Sequence, residues 1–395
     1  MKTGRRRNFA LVVGLLTAIG PFSIDMYLPA FPGIARDLQT DIEHVALSLT
    51  SYFIGISAGQ LAYGPLLDRF GRKKPVVAGL LLYMAAAAGC GLSPSITWLM
   101  VMRLLLALGA CVGIVAARAI VRDLFPPQEV AKIFSTLMLV LGVSPIIAPS
   151  VGAYVAATYS WRFVFAVLGG VAGIILLMVV LFLPDGRPAD TSVSLHPVQM
   201  ARRYLDVLKD PTFLRFGGAS AAASMGLFAY ISDSPFVFMN LFGFSQRVFG
   251  LVFSISACGV IGASQLNRLW LRARSSREVA LVSVIVQSVM AALLVAGVLA
   301  GAPPLASILL MICYLAGVGF LSPNTTAIAI EPFWQNAGTA SALLGSIQMT
   351  AGAMGSALIS WVHNGTALPM VLVLLFSSVA SLALQIRYPG VASGK

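Results

Sequence analysis

Residues 64–74 have the sequence GPLLDRFGRKK, a charged segment between two long apolar runs. Basic charges alone would mark only a loop on the cytoplasmic side of a membrane. Here Gly64 and Gly71 bracket an acidic residue, Asp68, and basic residues follow. The pattern predicts a tight turn between two membrane-spanning helices. It favours a transporter over other membrane proteins.

The composition is that of a membrane protein. Of the 395 residues, 58% are hydrophobic and 10% are charged, whereas about a quarter of a soluble protein is charged. A helix needs about 20 apolar residues to cross a bilayer. The sequence therefore predicts an all-α membrane protein with twelve transmembrane helices. The predicted spans are 9–31, 45–67, 75–92, 97–121, 133–158, 163–183, 214–240, 248–269, 279–299, 304–330, 338–362 and 367–386.

The spans form two six-helix halves. We predict an N-terminal bundle at 1–183, a cytoplasmic linker with a short amphipathic helix at 184–213, and a C-terminal bundle at 214–395. The segments SIDMYLP in span one and ISDSP in span seven each place an acid before a proline, late in the first span of a half. Related halves are typical of transporters whose site lies between them.

The net charge of +12 does not indicate nucleic-acid binding, because the basic residues are distributed asymmetrically. The predicted outer loops carry only Arg36, Arg162 and Arg247, and Arg103 lies within a span. All other lysines and arginines lie in the termini, in inner loops or at inner helix ends. This bias places both termini in the cytoplasm. The basic N-terminus precedes an apolar run too long for a signal peptide, so we expect a retained first span.

Several chemistries have no sequence signature. The four cysteines lie in apolar runs and the three histidines in loops, so we expect no metal site and no cofactor. The phosphate-binding loop of ATP-driven proteins is absent. No histidine lies within a span to support a hydrolase. The chain is therefore not predicted to be an enzyme, and the proton gradient is the expected energy source.

Three ionisable residues lie within predicted spans: Asp25, Arg103 and Asp233. Each costs about 2.5–3.5 kcal/mol to insert, which requires a reason. Counting residues to the outer helix ends places all three about 9–10 Å below the outer edge. Asp25 and Arg103 are either a static buried ion pair or a titratable pair facing a water-filled cavity. Asp233 either titrates or lies at the cavity mouth.

Other residues are candidates for the cavity wall and for a gating helix. Gln60, in the polar middle of span two, and Tyr27 are proposed to face the cavity. Further aromatic or methionine candidates are Tyr52, Tyr63, Met225, Phe228, Tyr230, Phe236 and Phe238. Each aromatic or methionine candidate, Tyr27 included, either lines the cavity or faces lipid or packs against other helices. Span five combines small residues with prolines at Gly142, Pro145, Pro149 and Gly152. Such a pattern indicates either close helix packing or a bent gating helix.

The chain resembles the major facilitator superfamily. Residues 64–73 match its loop signature, G-x-L-a-D-r-x-G-r-k, at every strong position. Within that superfamily it is most similar to the Bcr/CflA family of bacterial drug–proton antiporters. The similar stretches are SIDMYLPAFP, GQLAYGPLLDRFGRKKP, ARAIVRDLFPPQEVAKIFSTLMLVLGVSPIIAPSVG and SPNTTAIAIEPFWQNAGTASALLG.

The resemblance implies roles for particular residues. Asp68 would approach the start of span eleven, near Gly338, when the inner side is closed. The resemblance thus implies a cytoplasmic latch formed by Gly64, Asp68, Arg69, Gly71, Arg72 and Lys73. Asp25 and Arg103 would couple transport to protons. The span-five residues would form the antiporter signature. Leu106 departs from the family pattern, where glutamine is common, and Asp233 stands where a small residue is expected.

These observations predict a proton-coupled multidrug efflux antiporter in the bacterial inner membrane. It would export small amphipathic compounds by alternating access, as a monomer. The alternative on the same fold is a proton-coupled importer of a small nutrient, which should have a more polar cavity. A membrane sensor or enzyme would need an output domain or a catalytic pair, and the sequence contains neither.

Overall fold

The computed structural model describes residues 3–124, 127–184, 189–190, 196–333 and 337–386. Within these ranges the secondary structure is helical and contains no strand, so the all-α prediction is confirmed. The helices are α1 (Thr3–Asp25), α2 (Phe31–Asp37), α3 (Ile42–Phe70), α4 (Lys73–Gly91), α5 (Ile96–Leu124), α6 (Pro127–Thr158), α7 (Trp161–Phe182), α8 (Pro197–Leu208), α9 (Gly218–Pro235), α10 (Gln246–Trp270), α11 (Ser276–Leu299), α12 (Pro304–Ile330), α13 (Ala337–Val362) and α14 (Leu368–Ile386).

Ten helical segments of the described chain are long and apolar enough to cross a membrane. The first, Leu11–Asp37, joins α1 and α2 through a short 3-10 turn. The apolar part of α6, Gly142–Thr158, is shorter. The remaining long helix, α9, is extended by π-helical turns at both ends, Phe213–Gly217 and Phe236–Leu241. Together these segments make up the predicted twelve-helix membrane fold.

The turn between α3 and α4 is slightly shorter than the predicted span bounds implied. Helix α3 continues through Gly64 and ends at Phe70, and α4 begins at Lys73. The predicted tight turn is present, and the predicted span bounds at residues 67 and 75 lie three and two residues from the observed helix ends. Charged residues do not end a helix at the membrane surface, where water solvates them. The chain leaves α3 only at Gly71, whose φ of 80° is open to glycine without a steric cost.

The chain divides into two compact units. The first comprises Met1–Ala201 and Phe238–Ser254, and the second comprises Arg202–Val237 and Ile255–Lys395. The predicted bundles at 1–183 and 214–395 and the linker at 184–213 stay a prediction. Helix α8 lies inside that linker, while linker residues 185–188 and 191–195 lie outside the described residues.

Glycines bring the helices of the first unit into close contact. A Cβ atom at Gly55 of α3 would lie 2.6 Å from the Leu104 carbonyl oxygen of α5. A Cβ atom at Gly109 of α5 would lie 2.6 Å from the Tyr83 amide nitrogen of α4. Small residues allow such approaches between membrane helices. The packing places α3 and α4 directly against α5, which carries Arg103.

The second unit has its own polar and close-packed contacts. Gln348 Nε2 of α13 donates a hydrogen bond to Ser220 Oγ of α9 at 2.7 Å. Further along the same two helices, the hydroxyls of Ser232 and Ser356 are 2.7 Å apart. A Cβ atom at Gly355 would lie 2.7 Å from the Met225 carbonyl oxygen. These contacts hold α9, which carries Asp233, along α13.

Candidate functional site

Arg103 of α5 is fully buried in the first unit, with no exposed side-chain surface. Its guanidinium carbon lies 4.2 Å from the centre of the Tyr27 ring and 4.4 Å from that of Tyr52. A cation over an aromatic face is stabilised by the ring quadrupole, most strongly away from water. Arg103 Nη1 also donates a 2.8 Å hydrogen bond to the Ser23 carbonyl oxygen. The Nε and Nη2 donors have no partner among the described residues.

Hydrogen bonds hold the two tyrosine rings in place. The Tyr27 hydroxyl lies 2.7 Å from Ser48 Oγ of α3. The Tyr52 hydroxyl donates a 3.1 Å bond to the Gly20 carbonyl oxygen of α1. Because α1, α3 and α5 all contribute residues to these contacts, a movement of Arg103 would change contacts on three helices. We call Arg103, Tyr27, Tyr52 and Ser23 the arginine cluster.

Asp25 is the last residue of α1 and is 4% exposed. Its Oδ2 atom has no hydrogen-bond partner among the described residues. Asp25 lies within electrostatic range of Tyr52, the residue on which Arg103 stacks. Within the described part of the chain no ion pair joins Asp25 to Arg103; the guanidinium instead bonds the Ser23 backbone. An acidic and a basic side chain, each with atoms that lack a hydrogen-bond partner among the described residues, thus lie near the same tyrosine.

The other two predicted site residues are also buried. Gln60 is 7% exposed and lies on α3, about 12 Å along the helix axis from Tyr52. Asp233 is 6% exposed and lies on α9 in the second unit. A common level for Asp233 and Asp25 stays a prediction.

Arg72 anchors the turn between α3 and α4. It is 2% exposed, and its Nη1 and Nε atoms bond Asp68 Oδ1 at 2.6 Å and Asp123 Oδ2 at 2.7 Å. Burial alone would lower the pKa of the Arg72 guanidinium. The hydrogen bonds to Asp123 and Asp68 outweigh burial and raise that pKa. Arg72 therefore stays charged and ties the ends of α3 and α5 together.

The remaining residues of the predicted latch lie around this ion-pair triad. Lys73 Nζ donates a 3.1 Å bond to the Val180 carbonyl oxygen near the end of α7. Arg69 is half-buried in the last turn of α3. A Cβ atom at Gly64 would meet no atom within 4 Å, so close packing does not explain this glycine. The approach of Asp68 to the start of α13 stays a prediction.

The span-five residues lie on α6 beside α1. Pro145 and Pro149 are inside the helix, and neither can donate a backbone hydrogen bond. A Cβ atom at Gly152 would collide with the Met26 backbone, next to Asp25. Gly142 is half-buried one turn before Pro145. Helix α6 therefore contacts the chain where α1 presents its acid.

The region from Phe238 to Ser254 packs on the same part of α6. Ser254 Oγ donates to the Ile146 carbonyl oxygen at 2.7 Å. A Cβ atom at Gly250 would lie 3.1 Å from the Pro149 carbonyl oxygen. The proline-containing part of α6 thus has close contacts on α1 and on the start of α10.

Comparison with known proteins identifies the family. Residues 13–356 match the profile of the Major Facilitator Superfamily. The chain belongs to the Major Facilitator Superfamily. It is a multi-span membrane transporter, not an enzyme.

Among its relatives, the "Uncharacterized MFS-type transporter YdgK" of Bacillus subtilis is 32% identical over 95% of this chain and 94% of its own length. The "Bicyclomycin resistance protein homolog" of Haemophilus influenzae is 30% identical over 92% of this chain and 91% of its own length. The "Multidrug resistance protein MdtL" of Escherichia coli is 28% identical over 95% of this chain and 93% of its own length. The resemblance to the Bcr/CflA family is confirmed by these relatives.

Solved structures show the same fold. A partially occluded, inward-open conformation of the xylose transporter XylE from Escherichia coli aligns over the full length of both chains, with a TM-score of 0.77 and 14% identity. A D-xylose–proton symporter aligns with a TM-score of 0.74 and 15% identity, covering 98% of this chain and 99% of its own. At these identities the likeness extends to the fold alone.

Sequence reasoning missed two kinds of site residue. Asp123, the second partner of Arg72, lies 51 positions further along the chain, and no local pattern marks it beyond its position near the end of a span. Ser48 holds Tyr27, but a serine within an apolar helix is a weak signal. Both become visible only once α3, α4 and α5 are packed together.

Proposed function

We propose that this transporter is a proton-coupled exporter of small amphipathic compounds that works by alternating access. The observation that carries the proposal is the pair of buried, incompletely bonded side chains, Asp25 and Arg103. Unsatisfied ionisable groups inside a membrane protein are costly and usually serve function. Neither group is explained by a purely structural ion pair.

The proton site would work through a change of partner at Arg103. When the Asp25 carboxyl group is protonated, Arg103 Nη1 remains on the Ser23 carbonyl oxygen. When the proton leaves, the carboxylate attracts the guanidinium, whose Nε and Nη2 donors are unused. A substrate carrying a hydrogen-bond donor would bind the Asp25 carboxylate, whose Oδ2 atom is also without a partner among the described residues and accepts the donor only when the proton has left. Binding of substrate and binding of the proton would therefore exclude one another.

The surrounding contacts could carry this change into the helices. Arg103 bonds the backbone of α1, and Gly152 brings α6 against Met26 beside Asp25. A shift of Arg103 would thus alter the contact between α1 and α6. We propose that Tyr27, Gln60 and Asp233 line the substrate path, with Pro145, Pro149 and Gly142 shaping the gating helix.

At the other end of these helices, the triad of Arg72, Asp68 and Asp123 would hold the inner ends of α3 and α5 as one piece. Asp68 is half exposed, which leaves it available to a second contact. We propose that Asp68, with Arg69, Lys73 and the turn glycines, latches the cytoplasmic side during each cycle. The two six-helix halves, joined by the linker, would rock around the site.

The names of the relatives support the drug-export direction, since two of them are called resistance proteins. The asymmetry of basic residues supports cytoplasmic termini, and the similarity to bacterial proteins supports the inner membrane. We propose that the monomer is the functional unit and that the proton gradient supplies the energy.

The test is a drug-susceptibility screen, including bicyclomycin, in a pump-deficient bacterium that expresses the chain. Export predicts higher resistance to at least one compound. It also predicts uptake of that compound into inverted vesicles, which an uncoupler stops. The matched control is the same strain expressing Asp25→Asn. Higher cellular accumulation of the compound would indicate import, and uptake that survives the uncoupler would rule out proton coupling.

A further inference from the structure

The exposed face of α4 carries a groove near the N-terminal end of the helix. Its volume is about 370 Å³. It is lined by Lys73, Lys74, Val77, Ala78 and Leu81. The proposed proton and substrate site does not use this groove.

The lining residues follow one face of the helix. Lys74, Val77, Ala78 and Leu81 are spaced as i, i+3, i+4 and i+7, which places them on a single stripe. Lys74, Ala78 and Leu81 are exposed. The distance along the axis from Lys74 to Leu81 is about 10 Å. This length fits within one leaflet, because half of the hydrocarbon core is about 15 Å thick.

The groove is amphiphilic along its length. Both lysines lie at one end, and every other lining residue is apolar. The Lys74 amine has no hydrogen bond or ion pair with the described residues, and Lys73 Nζ donates a hydrogen bond to the Val180 carbonyl oxygen. The small side chain of Ala78 leaves a depression below the lysines. A ligand that fits must carry a negative charge at one end and an apolar chain at the other.

We propose that this groove binds an anionic phospholipid. Its phosphate would lie at Lys73 and Lys74, and one acyl chain would run over Val77, Ala78 and Leu81. The cytoplasmic leaflet is rich in anionic lipid, which attracts basic residues at its surface. A free phosphate would use only the basic end. A zwitterionic lipid would bind less tightly than an anionic one, because its ammonium group would lie near the positively charged lysines.

The site has a consequence for the latch. Lys73 directly follows Arg72, which joins Asp68 and Asp123. A lipid held at the first turn of α4 would restrain the turn that presents this triad. Bound anionic lipid should therefore stabilise the protein against thermal unfolding. This inference is independent of whether the transporter exports or imports.

The test measures lipid binding to the purified, delipidated full chain in detergent. Phosphatidylglycerol and phosphatidylcholine with identical acyl chains are titrated separately, and the first bound lipid is quantified by native mass spectrometry. We expect phosphatidylglycerol to bind more tightly by about five-fold or more, since each basic residue near an anionic surface contributes about five-fold. Its binding should also raise the unfolding temperature more than phosphatidylcholine does.

Variants separate the headgroup contact from the acyl-chain contact. Lys74→Gln should reduce the preference for phosphatidylglycerol, because only Lys73 remains at the basic end, and Lys74→Arg should keep it. Ala78→Trp, or the smaller change Ala78→Met, should weaken the binding of both lipids, because the larger side chain fills the groove. Arg272→Gln is the matched control, because Arg272 is an exposed basic residue in the turn after α10.

Three results would overturn the proposal. The first is equal binding of the two lipids to the unaltered chain. The second is unchanged phosphatidylglycerol binding in both Lys74→Gln and the Ala78 variants. The third is displacement of phosphatidylglycerol by inorganic phosphate alone, which would identify a phosphate site instead of a lipid site.

Discussion

Two arginines of the first unit are almost completely buried, yet their surroundings are opposite. Arg72 bonds two carboxylates, at 2.6 and 2.7 Å. Arg103 bonds one backbone carbonyl oxygen, lies between two tyrosine rings and leaves two donors without a partner among the described residues. A buried charge costs free energy unless it is paired and hydrogen-bonded. Arg72 meets that condition, and Arg103 meets it only in part.

The difference separates a structural role from a functional one. Arg72 lies in the two-residue turn between α3 and α4, where it ties helix ends together. Arg103 lies within a membrane-spanning helix, in the same region as the unsatisfied carboxyl group of Asp25. Natural proteins tolerate a destabilising arrangement where activity depends on it. We infer that Arg72 holds the structure and that Arg103 is kept available for a change of partner.

Replacing Arg103 should have the largest effect on transport. Arg103→Met should abolish resistance and vesicle uptake, because no guanidinium remains to interact with the Asp25 carboxylate after its proton leaves. Its unfolding temperature in detergent should be unchanged or higher, since a buried, incompletely bonded charge has been removed. A marked loss of stability without loss of transport would reverse the assignment.

The same substitution at Arg72 should mainly reduce stability. Arg72→Met leaves two carboxylates without a cation. Breaking a buried pair costs about 3–5 kcal/mol. Because Asp68 is half exposed, we expect a smaller loss of about 2–3 kcal/mol. Thermal unfolding of both methionine variants in one detergent measures the contrast, and equal stabilities would contradict it.

Replacing a tyrosine ring that contacts Arg103 should reduce transport less than replacing Arg103 itself. Tyr52→Leu removes one face of the cation–π contact, which is worth about 2 kcal/mol away from water. Transport should fall and its pH dependence should shift, because Arg103 can then leave Ser23 more easily. Tyr52→Phe is the matched control, since it keeps the ring and loses only the hydroxyl. If the leucine and phenylalanine variants have the same pH profile, the ring does not position Arg103.

The smallest expected effect concerns the support of the other ring. Ser48→Ala removes the 2.7 Å contact with the Tyr27 hydroxyl, a hydrogen bond worth about 1 kcal/mol. We expect a small fall in the unfolding temperature and little change in transport. Ser51→Ala, on the same helix, provides a comparison, because the Ser51 hydroxyl bonds the Ser48 and Met100 carbonyl oxygens and not Tyr27. A complete loss of transport in Ser48→Ala would show that Tyr27 needs this bond in order to function.

The sequence predicted the architecture well because apolar length and charge asymmetry are strong signals in membrane proteins. Apolar length also placed Asp25 and Arg103 within spans, but it left open whether they form a static ion pair or a titratable pair that faces a cavity. At the predicted turn the span bounds of residues 67 and 75 were two to three residues short, because charged residues do not end a helix at the membrane surface. Their helical backbone continues to Phe70 and breaks only at the positive φ of Gly71.

The partners of the charged residues could not be read from the sequence. Asp123 reaches Arg72 only because α3, α4 and α5 pack at their ends. Likewise, the choice of Arg103 between the Asp25 carboxyl group and the Ser23 carbonyl oxygen depends on side-chain positions of a few ångströms. Spacing along a helix places a residue at a depth in the membrane, but it does not select a hydrogen-bond partner.

The most direct test of the account is proton release from the purified transporter, measured with a pH indicator in weakly buffered detergent solution. The compound added is one identified by the susceptibility screen. The unaltered chain should release protons when the compound binds. Asp25→Asn should bind the compound, as measured by tryptophan fluorescence, and release none. Undiminished proton release from Asp25→Asn would contradict the central role given to this carboxyl group.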